Sequence, residues 1–193
     1  MQLQQYAEAI SSFEKATNAV KTGSPIFQDL VLKKADCFFM LKDFAKALPL
    51  YDQVIDRQYD AEDYAYFQKS IILGASNKTS EKLALLQKFV KQYPSSALIG
   101  DVYMEIANTH LAAESFALAV APLQQITSSA TLAAWHPAAY LKLGVAYFNT
   151  DKNNEALTSF TSLLSKFPNT EKATTTYTIT SPTLSNRCSP SCS

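Results

Sequence analysis

Apolar residues recur along this chain at i, i+3, i+4 and i+7 in segment after segment, the spacing that gathers them on one face of an α-helix. Short polar breaks separate the segments, Leu41-Lys42-Asp43 and Asn149-Thr150-Asp151 among them. The stretch "YLKLGVAYFNTDKNNEALTSFTSLLSKFP", Tyr140 to Pro168, holds one whole unit: a helix, a break, a second helix and a proline. Asp43 and Ser115 stand where second helices need N-caps, and Pro94 and Pro168 where those helices should end. The pattern predicts an all-α chain of antiparallel helix pairs.

The unit repeats. "YMEIANTHLAAESFALAVAPLQQI" sets Tyr103 over Tyr140, Ala107 over Gly144, Ala119 over Ala156 and Leu123 over Phe160, a shift of 37 residues each time. "VLKKADCFFMLKDFAKALPLYDQV" supplies Val31, Ala35, Phe38, Ala47, Tyr51 and Val54 in the same roles. "QQYAEAISSFEKAT" supplies Ala9, Phe13 and Ala16, the second half of a unit only. The most divergent copy, "YFQKSIILGASNKTSEKLALLQKFVKQYP", keeps Tyr66, Ser70, Leu86, Phe89 and Pro94. Lys82 there takes the place of an alanine, so this unit is expected to pack less well. The boundaries read as a half repeat at 1–22, repeats at 27–60, 99–132 and 136–169, and the divergent repeat at 61–96.

The small residues have a packing reason. At Ala35, Ser70, Ala107 and Gly144 a minimal side chain lets a first helix lie close against its second, where Ala9, Ala47, Ala119 and Ala156 offer a flat face. Glycine inside a helix costs about 1 kcal/mol relative to alanine, so close approach is the natural reason to keep Gly144. On this reading alanine at 144 is tolerated, as at its equivalents 35 and 107, and leucine is not. Phe13, Tyr51, Leu86, Leu123 and Phe160 then fill the seam to the next unit.

In these residues the chain resembles the tetratricopeptide repeat family, whose unit of about 34 residues pairs two helices around such small positions. The resemblance runs from Gln4 to about Pro168. The endings "KQYPSS" and "SKFPNT" are similar to those of bacterial outer-membrane assembly lipoproteins and related periplasmic repeat proteins. What the resemblance implies is a right-handed superhelical solenoid whose first helices line a concave groove for a partner. It carries the groove positions to Leu32, Asp36 and Phe39; to Phe67, Ile71 and Gly74; to Met104, Asn108 and Leu111; and to Leu141, Val145 and Phe148. The column Leu32, Phe67, Met104, Leu141 is apolar throughout, which fits a partner's helix or extended segment. Family members that clamp a terminal carboxylate need Lys and Asn in these places, and only Asn108 matches. The alternatives are a non-binding spacer within a larger array and an RNA-reading helical repeat, the latter disfavoured by the apolar column.

Composition narrows this further. In 193 residues, 17 basic side chains balance 17 acidic ones, so no net field recruits a nucleic-acid backbone or an anionic membrane surface. No apolar run approaches the roughly 18 residues of a membrane span, and Met1-Gln-Leu-Gln-Gln-Tyr is not a secretory signal. The compartment stays open: cytoplasmic as written, periplasmic if a signal precedes this sequence. Cys37 reads as a small buried hydrophobe. Cys188 and Cys192 have no companion ligand for a metal. The glycan-acceptor pattern Asn77-Lys78-Thr79 reads as a loop before a helix. His110 and His136 read as structural, no phosphate loop or nucleophile motif occurs, and neither catalysis nor a cofactor is expected.

The ends depart from the pattern. The chain opens inside a unit, and after Ala173 the helical stripe gives way to "TTTYTITSPTLSNRCSPSCS", residues 174–193. This reads as a truncated or shifted reading frame, with a native disordered Ser/Thr-rich tail as the alternative. Uncovered terminal faces of a repeat array predict self-association.

Overall fold

The computed structural model describes residues 2–170, with side chains from Gln4 onward. The expected tail at 174–193, with Cys188 and Cys192, lies outside the described residues. The chain divides into two compact units, Met1–Leu98 and Ile99–Ser193. All regular structure among the described residues is helical.

The first unit holds α1 (Gln2–Ala19), α2 (Pro25–Met40), α3 (Phe44–Asp56), α4 (Glu62–Ala75) and α5 (Thr79–Gln92). Each packs on its neighbour in sequence. The core of α2, α3 and α4 joins Val31, Ala35, Ala47, Tyr51, Val54, Ala65 and Ile72. Helix α2 starts as its sequence dictates, with the Ser24 hydroxyl accepting from Phe27 N–H at 3.2 Å and Pro25 in the first turn. Asp43 and Ser115 hold N-cap positions, but their side chains make no capping hydrogen bond. Asp43 pairs instead with Lys46 at 2.7 Å.

The second unit holds α6 (Ile99–Ala112), α7 (Phe116–Ser128), a 3₁₀ turn at Ala130–Trp135, α8 (His136–Phe148) and α9 (Asn153–Lys166). Ala107, Ala119, Leu123, Ile126, Leu143, Ala156 and Phe160 form its core. The 3₁₀ turn brings Trp135 back onto α6. Its indole N–H donates to Asp101 Oδ1 at 3.1 Å, and its ring lies where a Cβ on Gly100 would fall 2.8 Å away. Pro49 and Pro122 sit inside α3 and α7 without ending them. Pro94 and Pro168 follow directly on the C-caps Tyr93 and Phe167, whose N–H groups close α5 and α9 on Phe89 and Leu163 carbonyls.

Every hairpin turn is built alike. Lys42, Asn77, Glu114 and Asp151 have φ of 59°, 59°, 53° and 58°, the left-handed region. The following N–H, from Asp43, Lys78, Ser115 and Lys152, donates at 2.9 Å to Phe38, Leu73, His110 and Tyr147 carbonyls respectively. This is the six-to-one bond of a Schellman ending. It reverses the chain into the second helix without a glycine.

Candidate partner surface

The residues expected to pack the hairpins lie at the bottom of each unit. Ala35, Ala47, Tyr51, Ser70, Leu86, Ala107, Ala119, Leu123, Ala156 and Phe160 are buried, and so is Gly144. Gly144 fits more tightly than its alanine equivalents imply: a Cβ there would meet the Phe160 ring at 2.4 to 2.7 Å. The expectation that alanine is tolerated at 144 is therefore corrected. Phe160 is a buried aromatic ring, where the unit of Ala107 carries the smaller Leu123 at the equivalent place.

The divergent repeat seats its lysine where the others carry alanine. Lys82 is buried, its stem lying over Gly74, where a Cβ would meet Lys82 Cδ at 3.1 Å. The missing side chain at 74 admits the extra length at 82. Leu86 and Phe89 of the same helix are fully buried.

The expected groove residues occupy an intermediate layer. On α2, Leu32 and Phe39 are half-buried and pack on the first core. On α4, Phe67 and Ile71 are half-buried. In the second unit, Met104 of α6 with Leu141, Val145 and Phe148 of α8 pack on the second core, and Asn108 is half-buried beside them in sequence register. Leu32 and Phe39 in the first unit, and Met104, Leu141, Val145 and Phe148 in the second, thus lie against a core that is itself buried.

One group in this layer has chemistry that sequence spacing alone does not show. Asp36, between Leu32 and Phe39 on the same face of α2, accepts from Tyr51 Oη at 2.7 Å and Tyr64 Oη at 3.1 Å. Three helices are tied through one carboxyl. Burial pushes the Asp36 pKa up against the lowering effect of both hydroxyls. Tyr64 is pushed up to about 12 by burial first, then by the Asp36 charge, and Tyr51 is raised further by the same causes. The signal in sequence was a lone aspartate among groove positions, but its partners lie 15 and 28 residues away on other helices.

The remaining polar side chains serve structure. Asp52 of α3 pairs with Lys69 of α4, Lys88 donates to Tyr66 Oη at 2.7 Å, and Gln124 of α7 donates to Tyr147 Oη at 2.9 Å. His136 is bonded to the Ser129 carbonyl at 2.9 Å and stacks edge-on to Tyr140, while burial lowers the pKa of His110. Burial raises the Cys37 thiol pKa, away from the reactive thiolate. No group of three metal-ligating side chains occurs among the described residues. No described helix is long and apolar enough to cross a membrane.

Paired helices with small residues in the seam and a half-buried first-helix layer define a helical-repeat protein of the α-α hairpin type. Family models for the tetratricopeptide repeat match residues 1–63, 64–96 and 138–170, and the chain carries tetratricopeptide repeats. No curated protein sequence matches the chain. Among solved structures, a MamA protein aligns with TM-score 0.65 at 16% identity, over 84% of this chain and 83% of that one. YrrB, described as a TPR protein with an unusual peptide-binding site, aligns with TM-score 0.62 at 19% identity, over 86% and 82%. The TPR-like repeats of a putative kinesin light chain of Podosopora anserina align with TM-score 0.63 at 16% identity, over 94% and 91%. At such identities the likeness shows a shared fold.

Proposed function

We propose that this chain is a protein-interaction scaffold that holds a partner's apolar helix or extended segment on the first helices of its repeats, and that it catalyses nothing itself. The observation that carries this reading is the graded burial within each unit. Ala107, Ala119 and Ala156 are shut away, while Met104 and Leu141 rest on that core half-covered. A partner covering them gains about 25 cal/mol for each Å² of apolar surface removed from water. The peptide-binding description of YrrB agrees with such a use of the fold. A spacer needs no open apolar layer, and an RNA reader needs basic first-helix faces.

Capture of partners from source-cell extract by wild type and by Met104→Glu/Leu141→Glu tests the proposal, with circular dichroism on both. Loss of the captured proteins at unchanged helicity is the expected result, and equal capture removes the groove from consideration. Phe67→Glu makes the same test on the first unit. The repeat endings at Lys91–Ser96 and Ser165–Thr170 extend the proposal to a branch of the family, the periplasmic assembly proteins. Fractionation of source cells checks that extension.

A second reading concerns self-association. Leu48 and Val120, one residue after Ala47 and Ala119, are half-buried, whereas Leu157, one residue after Ala156, is 52% exposed. We take this open position on α9 as a contact between copies. Sedimentation at rising concentration should show association that Leu157→Lys abolishes; a strictly monomeric wild type ends this reading.

A further inference from the structure

We propose that Asp36 presents a carboxylate oxygen to a lysine or arginine of the apolar partner segment and so determines which segments the first unit accepts. The inference rests on the groove reading above and adds the partner's charge to it. Two tyrosines from different helices converge on one oxygen, Oδ1, at 2.7 and 3.1 Å. The carboxyl is thereby held in one orientation before any partner arrives. Its second oxygen, Oδ2, enters no hydrogen bond or ion pair among the described residues, and Lys33, one turn before it on α2, pairs with Asp29 at 3.4 Å.

Nor is Oδ2 sealed away. Asp36 is half-buried on α2, and Oδ2 is not among the fully buried side-chain atoms left without a partner in the described residues. Leu32 and Phe39 flank it on the same helical face, both half-buried. Apolar flanks lower the local dielectric and strengthen a charge-assisted hydrogen bond. The chain's own groups leave the charge under-compensated, since burial outweighs the two hydroxyls and Lys33 in its effect on the carboxyl. A cation brought by a partner relieves that deficit, and a neutral or acidic side chain does not.

The probe is a library of random dodecapeptides displayed on phage, selected against the full chain and against Asp36→Asn, whose amide oxygen can still accept from both tyrosines. Wild type should select apolar peptides with a lysine or arginine at a constant offset, and Asp36→Asn should select apolar peptides without it. Replacing that basic residue by norleucine in a selected peptide should weaken binding to wild type about tenfold or more, and to Asp36→Asn by less than about twofold. Apolar peptides lacking a basic residue on wild type overturn this inference and leave the scaffold proposal standing. A basic residue still selected by Asp36→Asn overturns it as well, and no selection by either protein overturns both. The norleucine comparison on wild type needs no variant, so the question is answered even where Asp36→Asn fails to fold.

Discussion

Gly144 and Phe160 show how narrowly single residues are set. A methyl group on Gly144 meets ring carbons at 2.4 to 2.7 Å, inside the contact distance of carbon atoms. Overpacking of this kind costs about 1–3 kcal/mol, against which alanine recovers about 1 kcal/mol of helix propensity. Gly144→Ala should therefore lower the thermal midpoint, and Phe160→Leu in the same chain should restore part of it. Gly74→Ala should cost less than Gly144→Ala, because its neighbour is the flexible stem of Lys82 rather than a buried ring. Equal midpoints for the two alanine variants would contradict both geometries.

The carboxyl at Asp36 carries a second expectation at this scale. Its folded pKa is raised, so ionisation works against the fold once the pH exceeds its ordinary range. Asp36→Asn should be no less stable than wild type at pH 7, as urea titration can check. Tyr64 has the same sign at the other end of the scale. Its folded pKa of about 12 lies above the ordinary 10, so its contribution is complete below about pH 10 and is lost between pH 10 and 12. Melting curves across that window should fall less steeply for Tyr64→Phe.

At the scale of the element, the hairpin turns store a cost that could be removed. A side chain in the left-handed region costs about 1–2 kcal/mol, less for Asn and Asp, whose short polar groups tolerate it. Lys42 and Glu114 bear that cost at φ of 59° and 53°. Glu114→Gly or Lys42→Gly should stabilise the chain by up to about 1 kcal/mol, while Asn77→Gly gains little. Guanidinium unfolding of the three variants gives the ranking. The turns were located in sequence by their polar breaks, but their geometry was not. What closes them is a backbone hydrogen bond across six residues, which no side-chain pattern records.

For the whole molecule, the described residues of both hydrophobic cores precede Thr170, and the helical apolar stripe of the sequence stops after Ala173. A chain ending at Thr170 should accordingly keep the melting midpoint and helical content of the full sequence, as calorimetry and circular dichroism can compare. The periodicity of small and large residues by itself determined that this chain forms paired helices, because the 3.6-residue period dictates which face of each helix must leave water. It also marked Ala35, Ala47, Ala107, Ala119 and Ala156, since only a short side chain lets two helix backbones approach. Only the tertiary structure decided which side chains from different helices meet: Phe160 over Gly144, Lys82 over Gly74, Trp135 over Gly100, and Tyr51 with Tyr64 on Asp36. The period of a helix specifies direction around its axis, while these contacts depend on distances between axes, which are set when all the side chains of a unit pack at once.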